Sequence, residues 1–256
     1  MEDSLSSASI IRSLRTRFVG QRVIYYHRLI STMDAARREA QRGAAEGTLI
    51  VADEQTAGRG RMKRIWLSPR GSISLSIILY PDMVFLPSLI MLASLAVVYS
   101  IEVVTGLKAQ IKWPNDILVA GRKVSGILIE NEVQGNTVGY TIIGIGINVN
   151  LRVGDFPDIP PTATSLSEQL GGEASRLDII QSLLVEVERL YLNRSDETIY
   201  EQWRDRLVTL GGRIRVKSGK SIYTGVAESV AQDGSLLLRL ADGSLTHIVG
   251  GDVTLG

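Results

Sequence analysis

The chain has 256 residues, 45% of them hydrophobic and 21% charged, the composition of a globular fold and not of a disordered segment. It has no cysteine and only two histidines, His27 and His247, which excludes a disulfide framework, a thiolate zinc site, a cysteine nucleophile and a histidine-rich metal centre. The 28 Lys and Arg against 27 Asp and Glu leave a net charge of +1, so no global field draws the chain to nucleic acid or to an anionic membrane.

In chain order, the Ser- and Arg-rich N-terminus, which also holds Glu2 and Asp3, reads as a short amphipathic helix ending at Gly20 and not as a targeting segment. A strand is expected over 22–27, then a helix over 32–42 with Ser31 as cap and Gly43 as its end. Residues 47–53 are an apolar strand. Residues 72–79 alternate Ile73, Leu75 and Ile77 against serines, the period of a strand. Residues 83–101 carry no charge, yet Pro87, Ser88, Ser94 and Ser100 break the run. A spanning helix needs roughly 20 apolar residues, so this is read as a buried helix with Pro87 in its first turn and Gly106 at its C-terminal cap. Strands at 109–113, 117–119, 126–133 and 137–147 are separated by turns at Pro114–Asn115, Gly121 and Gly135, a spacing that predicts hairpins in a mixed or antiparallel sheet. The stretch 152–164 holds three prolines and is a loop; helices follow at 177–192 and 198–207. Beyond Gly211–Gly212 come short strands with Asp233-Gly234 and Asp242-Gly243 turns, a hairpin signal. The fold class is α+β: a mixed β-sheet backed by helices over residues 1–208, and a small C-terminal β-barrel over 211–256 whose core is too small for high stability alone.

One segment is rich in chemistry: Gly58-Arg59-Gly60-Arg61-Met62-Lys63-Arg64-Ile65-Trp66. Between Gln55 and Pro81 there is no acid, while Arg59, Arg61, Lys63, Arg64 and Arg70 all occur. Glycines let backbone N–H groups fold around an anion, arginines add forked donors, and Trp66 offers a face to a purine or covers a ligand. Alone, the run is equally a solvated basic loop, or an arginine-glycine hook for a minor groove. Two further segments place polar residues at the ends of apolar strands, with glycines that admit a ligand close to the backbone. They are Lys112-Trp113-Pro114-Asn115-Asp116, followed by Arg122-Lys123 and Gly126-Ile127-Leu128-Ile129-Glu130, and Ile143-Gly144-Ile145-Gly146-Ile147-Asn148-Val149-Asn150.

Taken in order with Ser31-Thr32-Met33-Asp34, Gln55 and Ala163-Thr164-Ser165-Leu166, these segments resemble the biotin protein ligase family over nearly the whole chain. The resemblance implies a class II synthetase/biotin ligase-like catalytic domain. It implies a reaction of biotin with ATP, aided by Mg²⁺, to biotinyl-5′-AMP, and transfer of biotin to a lysine of a biotin carboxyl carrier protein or domain. By the family's pattern, Ser31, Thr32, Gln55, Gly58 and Gly126 contact biotin. Arg59, Gly60 and Arg61 fold over biotin and the adenylate. Lys123 meets the reacting carboxylate and the α-phosphate, while Trp66, Asn115 and Asn148 hold the nucleotide. Asp116 matches the carboxylate that orients the incoming amine, against the plainer reading of a turn cap. Arg61, Lys123 and Asp116 are thus the expected catalytic residues, with no protein metal ligand. Met62 and Lys63 depart from the family's basic residue and glycine, which predicts a stiffer loop. Thirty residues precede Ser31, too few for the helix-turn-helix some members carry, so a mono-functional, cytoplasmic ligase is expected, homodimeric as family members often are, with no nucleic acid or membrane partner.

The rival readings are a lipoate or octanoate ligase or transferase of the related fold, a regulator responding to biotinyl-adenylate, and a catalytically dead binding module. The absence of cysteine removes the cysteine-dependent transferase, and the arginine-glycine loop favours biotin.

Overall fold

The computed structural model describes residues 5–193 and 196–255, the side chains of Lys63, Asp196 and Glu197 apart. Glu2 and Asp3, counted above in the N-terminal helix, and the Lys63 side chain lie outside the described residues.

The elements in chain order are α1 (Ser7–Ile11), β1 (Val23–Leu29), α2 (Thr32–Gln41), β2 (Leu49–Arg59), β3 (Ile65–Ser68), β4 (Ser72–Leu79), α3 (Ser88–Thr105), β5 (Ala109–Lys112), β6 (Asp116–Val119), β7 (Arg122–Gln134), β8 (Thr137–Asn148), α4 (Leu166–Leu170), α5 (Arg176–Leu192), α6 (Asp196–Asp205) and five strands, β9 (Arg213–Ser218), β10 (Ser221–Val230), β11 (Leu236–Leu240), β12 (Leu245–Ile248) and β13 (Asp252–Leu255). The large sheet runs β1-β2-β4-β8-β7-β6-β5, with β3 paired to β2. β1 and β2 are parallel and every other pair is antiparallel, the mixed sheet that the hairpin spacing predicts.

The sheet separates two cores. Ile73, Leu75 and Ile77 of β4 and Ile143, Ile145 and Ile147 of β8 point to the larger one, beneath α3 and α5. Helix α3 is long and apolar enough to cross a membrane, yet it lies mostly buried in this core. Gly106 ends it in the left-handed conformation (φ 70°), as its position in the sequence predicts. On the other face α2 sets Met33, Ala36 and Ala40 against Ile50, Ile78 and Ile142. Both faces of β4 are therefore covered: Ser72, Ser74 and Ser76, which in an alternating strand read as a solvent face, are buried. Helix α2 is short and covers only one end of its face.

Three elements differ from the sequence reading. α1 stops at Ile11, because the N–H groups of Arg17, Phe18 and Val19 donate not to a helix but to the Glu188 carboxylate, at 2.6, 2.8 and 3.0 Å. Residues 65–68, read as loop, form β3, and 166–170, left unassigned, form α4. The C-terminal segment is a five-stranded antiparallel sheet ordered β12-β11-β10-β9-β13, and its end strands β12 and β13 do not pair among the described residues. Where a small β-barrel is expected, the described residues thus form an antiparallel sheet that is not closed. It is also not alone: Ile214, Val216, Leu236 and Leu238 share one continuous core with α3 and α6. Trp113 ties the two parts, donating its backbone N–H to Thr209 Oγ1 and its indole N–H to the Gly234 carbonyl, each at 2.9 Å.

Glu188 gives a first prediction. Its buried carboxylate is the sole side chain bonded to the N–H groups of residues 17–19 among the described residues. Glu188→Ala should cost about 3 kcal/mol, because three donors lose a charged acceptor. The loss is measured by urea unfolding, and amide exchange should show protection lost first at Phe18 and Val19; a change under about 0.5 kcal/mol would refute the anchoring role.

Candidate functional site

A cavity of about 410 Å³ occupies the part of the sheet face that α2 leaves open. Its floor is made where backbones lack side chains. A Cβ on Gly144 would lie 2.5 Å from the Met33 sulfur, and one on Gly146 would overlap the Trp66 indole nitrogen. Gly126 admits the far edge of the same indole, 3.1 Å from where its Cβ would stand, and the Lys123 amine at 3.4 Å. The strand register sets four residues in one row: Gly146 on β8 faces Gly126 on β7, Gly126 faces Asp116 on β6, and Asp116 faces Lys112 on β5. Directly opposed residues share a face, so the floor passes from bare backbone to charge across neighbouring strands about 4.8 Å apart.

The arginine-glycine segment forms one wall. β2 runs on through Arg59, a short 3₁₀ turn covers Arg61–Lys63, and β3 returns antiparallel to β2. Met62 adopts the left-handed region (φ 55°), which a glycine occupies without strain and methionine does not. The three arginines go different ways. The Arg59 guanidinium leaves the centre: it pairs with Asp34 at 2.9 Å and Glu130 at 2.6 Å, in a cluster that Arg37 joins. Arg61 donates to the Asn115 side-chain oxygen at 2.7 Å. Arg64 pairs with Asp252 of the C-terminal sheet. Burial pushes the Arg61 guanidinium below the usual arginine range, against the pull of nearby Asp116, and Arg64 adds to the push.

At the centre, Lys123 Nζ lies 2.5 Å from Asp116 Oδ1 and 5.4 Å from the centre of the Trp66 ring. Lys112 lines the same wall, and burial pushes its ammonium down, opposed by Asp116 and reinforced by Lys123 and Arg64. Asn115 is fixed by its amide N–H on the Ile127 carbonyl at 2.8 Å, and Asn148 by its own on the Thr164 carbonyl at 3.1 Å, which leaves the Asn148 side-chain oxygen as an acceptor. At the α2 end, Gln55 Oε1 accepts from the Thr32 N–H at 2.8 Å and the Thr32 hydroxyl at 3.1 Å, and Ser76 donates to that hydroxyl at 2.9 Å. The Ser31 hydroxyl and the Trp66 indole N–H are buried without a partner among the described residues. Buried polar atoms of that kind are uncommon, and a ligand is one source of partners.

The structure thus brings Thr32, Gln55, Arg59, Gly60, Arg61, Trp66, Asn115, Asp116, Lys123, Gly126 and Asn148 to one cavity. Two of the expected biotin contacts do not line it. Ser31 sits one residue before α2, and Gly58 serves the β2–β3 bulge, where a Cβ would overlap the Trp66 carbonyl. The sequence reading did not name Met33, Gly144, Gly146, the 158–163 loop or Gly251–Thr254 as site residues, all of which contribute wall. The alternation of glycine with isoleucine on β8 was a signal for two of them; the C-terminal residues reach the cavity through tertiary packing, which leaves none.

The chain is similar to known proteins over nearly its whole length. The model of the Biotin/lipoate A/B protein ligase family matches residues 25–148, and that of the biotin protein ligase C-terminal domain matches residues 209–256. The bifunctional ligase/repressor BirA of Bacillus subtilis is 40% identical, over 98% of this chain and 79% of its own length. The biotin–[acetyl-CoA-carboxylase] ligase of Mycobacterium tuberculosis is 30% identical over 94% of each chain. Among solved structures, the biotin protein ligase of Aquifex aeolicus in complex with biotin and ATP superposes with a TM-score of 0.76 at 29% identity, covering 92% of this chain and 99% of that one.

Proposed function

The chain belongs to the biotin protein ligase family, and on that premise we propose how its cavity performs the reaction. The activity is ATP-dependent ligation of biotin to carrier proteins, through biotinyl-5′-AMP. What supports the residue assignment is one observation above the rest: the basic 59–64 loop, the Lys123–Asp116 pair and a glycine floor converge on a single cavity.

The first half-reaction joins two anions. A carboxylate oxygen of biotin attacks the α-phosphorus of ATP, and the bond from that phosphorus to the bridging oxygen breaks with its electron pair leaving on pyrophosphate. The acid is its own nucleophile, so the protein supplies position and positive charge. Lys123, beside Gly126 and over Trp66, and Arg61, held by Asn115, are the groups that offset repulsion there. Arg59 acts at one remove, fixing the loop root to Asp34 and Glu130. Biotin's ring system lies at the Thr32–Gln55 end, with Ser31 and Gly58 behind those two residues, and the nucleotide base lies toward Asn148 and Trp66. In the second half-reaction the neutral carrier amine attacks the carbonyl of the mixed anhydride and AMP leaves; Asp116, paired to Lys123, orients the amine and favours loss of its proton.

Among the described residues no group of three or more His, Asp or Glu side chains is placed to hold a metal ion. Asp116 and Asp252 are taken by Lys123 and Arg64. Mg²⁺ is read as entering with the nucleotide phosphates, as part of that substrate. The reading extends to a homodimer acting in the cytoplasm, supported by family likeness and a cysteine-free chain; sedimentation tests the assembly.

The deciding experiment is ATP–pyrophosphate exchange with biotin, lipoate or octanoate. Exchange that requires biotin is expected. Exchange with lipoate or octanoate alone would move the chain to the sister activity, and none with any acid would leave a binding module.

A further inference from the structure

Among the cavity's lysines and arginines, Lys112 differs in its partners. Arg59 and Arg64 are paired with carboxylates, Lys123 with Asp116, and Arg61 is bonded to Asn115. Lys112 lines the same cavity, but its amine makes no hydrogen bond or ion pair with any described side chain. Asp116 is its register partner across β5 and β6, yet that carboxylate turns to Lys123. A half-buried ammonium beside Lys123 and Arg64, whose one nearby carboxylate, Asp116, is already paired with Lys123, is under-neutralised and gains from an anion supplied from outside. Support of the neighbouring turn does not explain it, because Trp113 is held by Thr209 and Gly234 without help from Lys112.

The strand row says where on the substrate that anion belongs. Gly126 and the Lys123 amine mark the reacting carboxylate and α-phosphate; Asp116 is the next residue in the row and Lys112 the one after it. Two strand spacings separate Gly126 from Lys112, roughly 10 Å, a distance on the order of a triphosphate's length. We infer that Lys112 binds the β- and γ-phosphates of ATP and holds the pyrophosphate as it departs, an inference that rests on the ligase reading above. When the oxygen of the acid bonds to the α-phosphorus, the electron pair of the breaking bond arrives on the bridging oxygen nearest Lys112. A positive charge placed there stabilises the leaving group without a proton transfer.

The two half-reactions separate this role from a structural one. The protein with Lys112→Met, which keeps the aliphatic stem, is assayed in ATP–pyrophosphate exchange and, separately, in transfer from synthetic biotinyl-5′-AMP to a carrier domain. Expected are a fall in kcat/KM for ATP of about a hundredfold, a comparable weakening of pyrophosphate as product inhibitor, and a KM for biotin and a transfer rate within about threefold of wild type. Lys112→Arg should recover part of the exchange. Equal losses in exchange and transfer would make Lys112 a support of the fold, and exchange within threefold of wild type would remove it from the phosphate site; either overturns the inference. Absence of biotin-dependent exchange in the wild type would overturn the ligase reading itself, and this inference with it.

Discussion

Lys123→Ala should reduce biotin-dependent exchange by at least about a hundredfold, or roughly 3 kcal/mol, the usual loss when one preorganised charge is withdrawn from a phosphoryl-transfer centre. Three features of its surroundings raise the expected loss. The amine is 2.5 Å from Asp116, so its removal takes away that carboxylate's ion pair where two further anions must meet. It lies over the Trp66 ring, so its removal also loosens the wall. And it stands beside Gly126, where no side chain of the floor can replace it. The first of these can be isolated. In a double-mutant cycle with Asp116→Asn, the Lys123→Ala penalty on exchange should shrink, because the stranded charge has been removed along with its partner. The same pair measured in transfer from synthetic adenylate should not show that relief, since there Asp116 faces an amine and not a phosphate. Exchange in Lys123→Ala within tenfold of wild type would leave the assignment of this lysine to the reacting phosphate without support.

The contrast between Lys123 and Arg59 shows what a sequence discloses about a site. Both are basic, both sit in the segments that point to nucleotide chemistry, and nothing in their neighbours separates them. The fold does, within the cavity that both line, by giving Arg59 two carboxylates from distant elements, Asp34 on α2 and Glu130 on β7, and setting Lys123 beside the glycine floor, paired with Asp116 alone. Local pattern was sufficient for the elements themselves: the alternation in β4, the left-handed glycine after α3 and the two Asp-Gly turns each come from the backbone preferences of a few adjacent residues. It was not sufficient for β3, whose strand character comes from pairing with β2 across a loop, or for α1, whose continuation is lost to a carboxylate about 170 positions away. Nor could it reveal that the C-terminal sheet supplies Gly251–Thr254 to the cavity wall or fails to close upon itself. Those are consequences of a shared core, and a short strand carries no mark of which core it joins.

Gly146→Ala is the smallest change that should close the site. The glycine lies in extended strand and has no need of a left-handed backbone, so alanine is no strain on β8 itself. What it meets is Trp66: a Cβ would overlap the indole nitrogen and lie 2.8 Å from Cζ2. The indole is confined, with its far edge against Gly126 and its nitrogen buried. It can retreat into the cavity that it lines, where it would take the space proposed for the nucleotide base. Overpacking of this kind costs about 1–3 kcal/mol, and here it acts mainly on the ligand-bound state, so ATP affinity should fall roughly thirtyfold with a much smaller change in thermal stability. Trp66 should report the move through its fluorescence. The cause can be checked by making room: Trp66→Leu in the Gly146→Ala background removes the atoms that clash and should restore part of the lost affinity, although Trp66→Leu alone weakens binding. Two penalties that simply add would place the effect of Gly146 somewhere other than the indole, whereas partial rescue means that the bare backbone of β8 exists to hold this one ring against the floor.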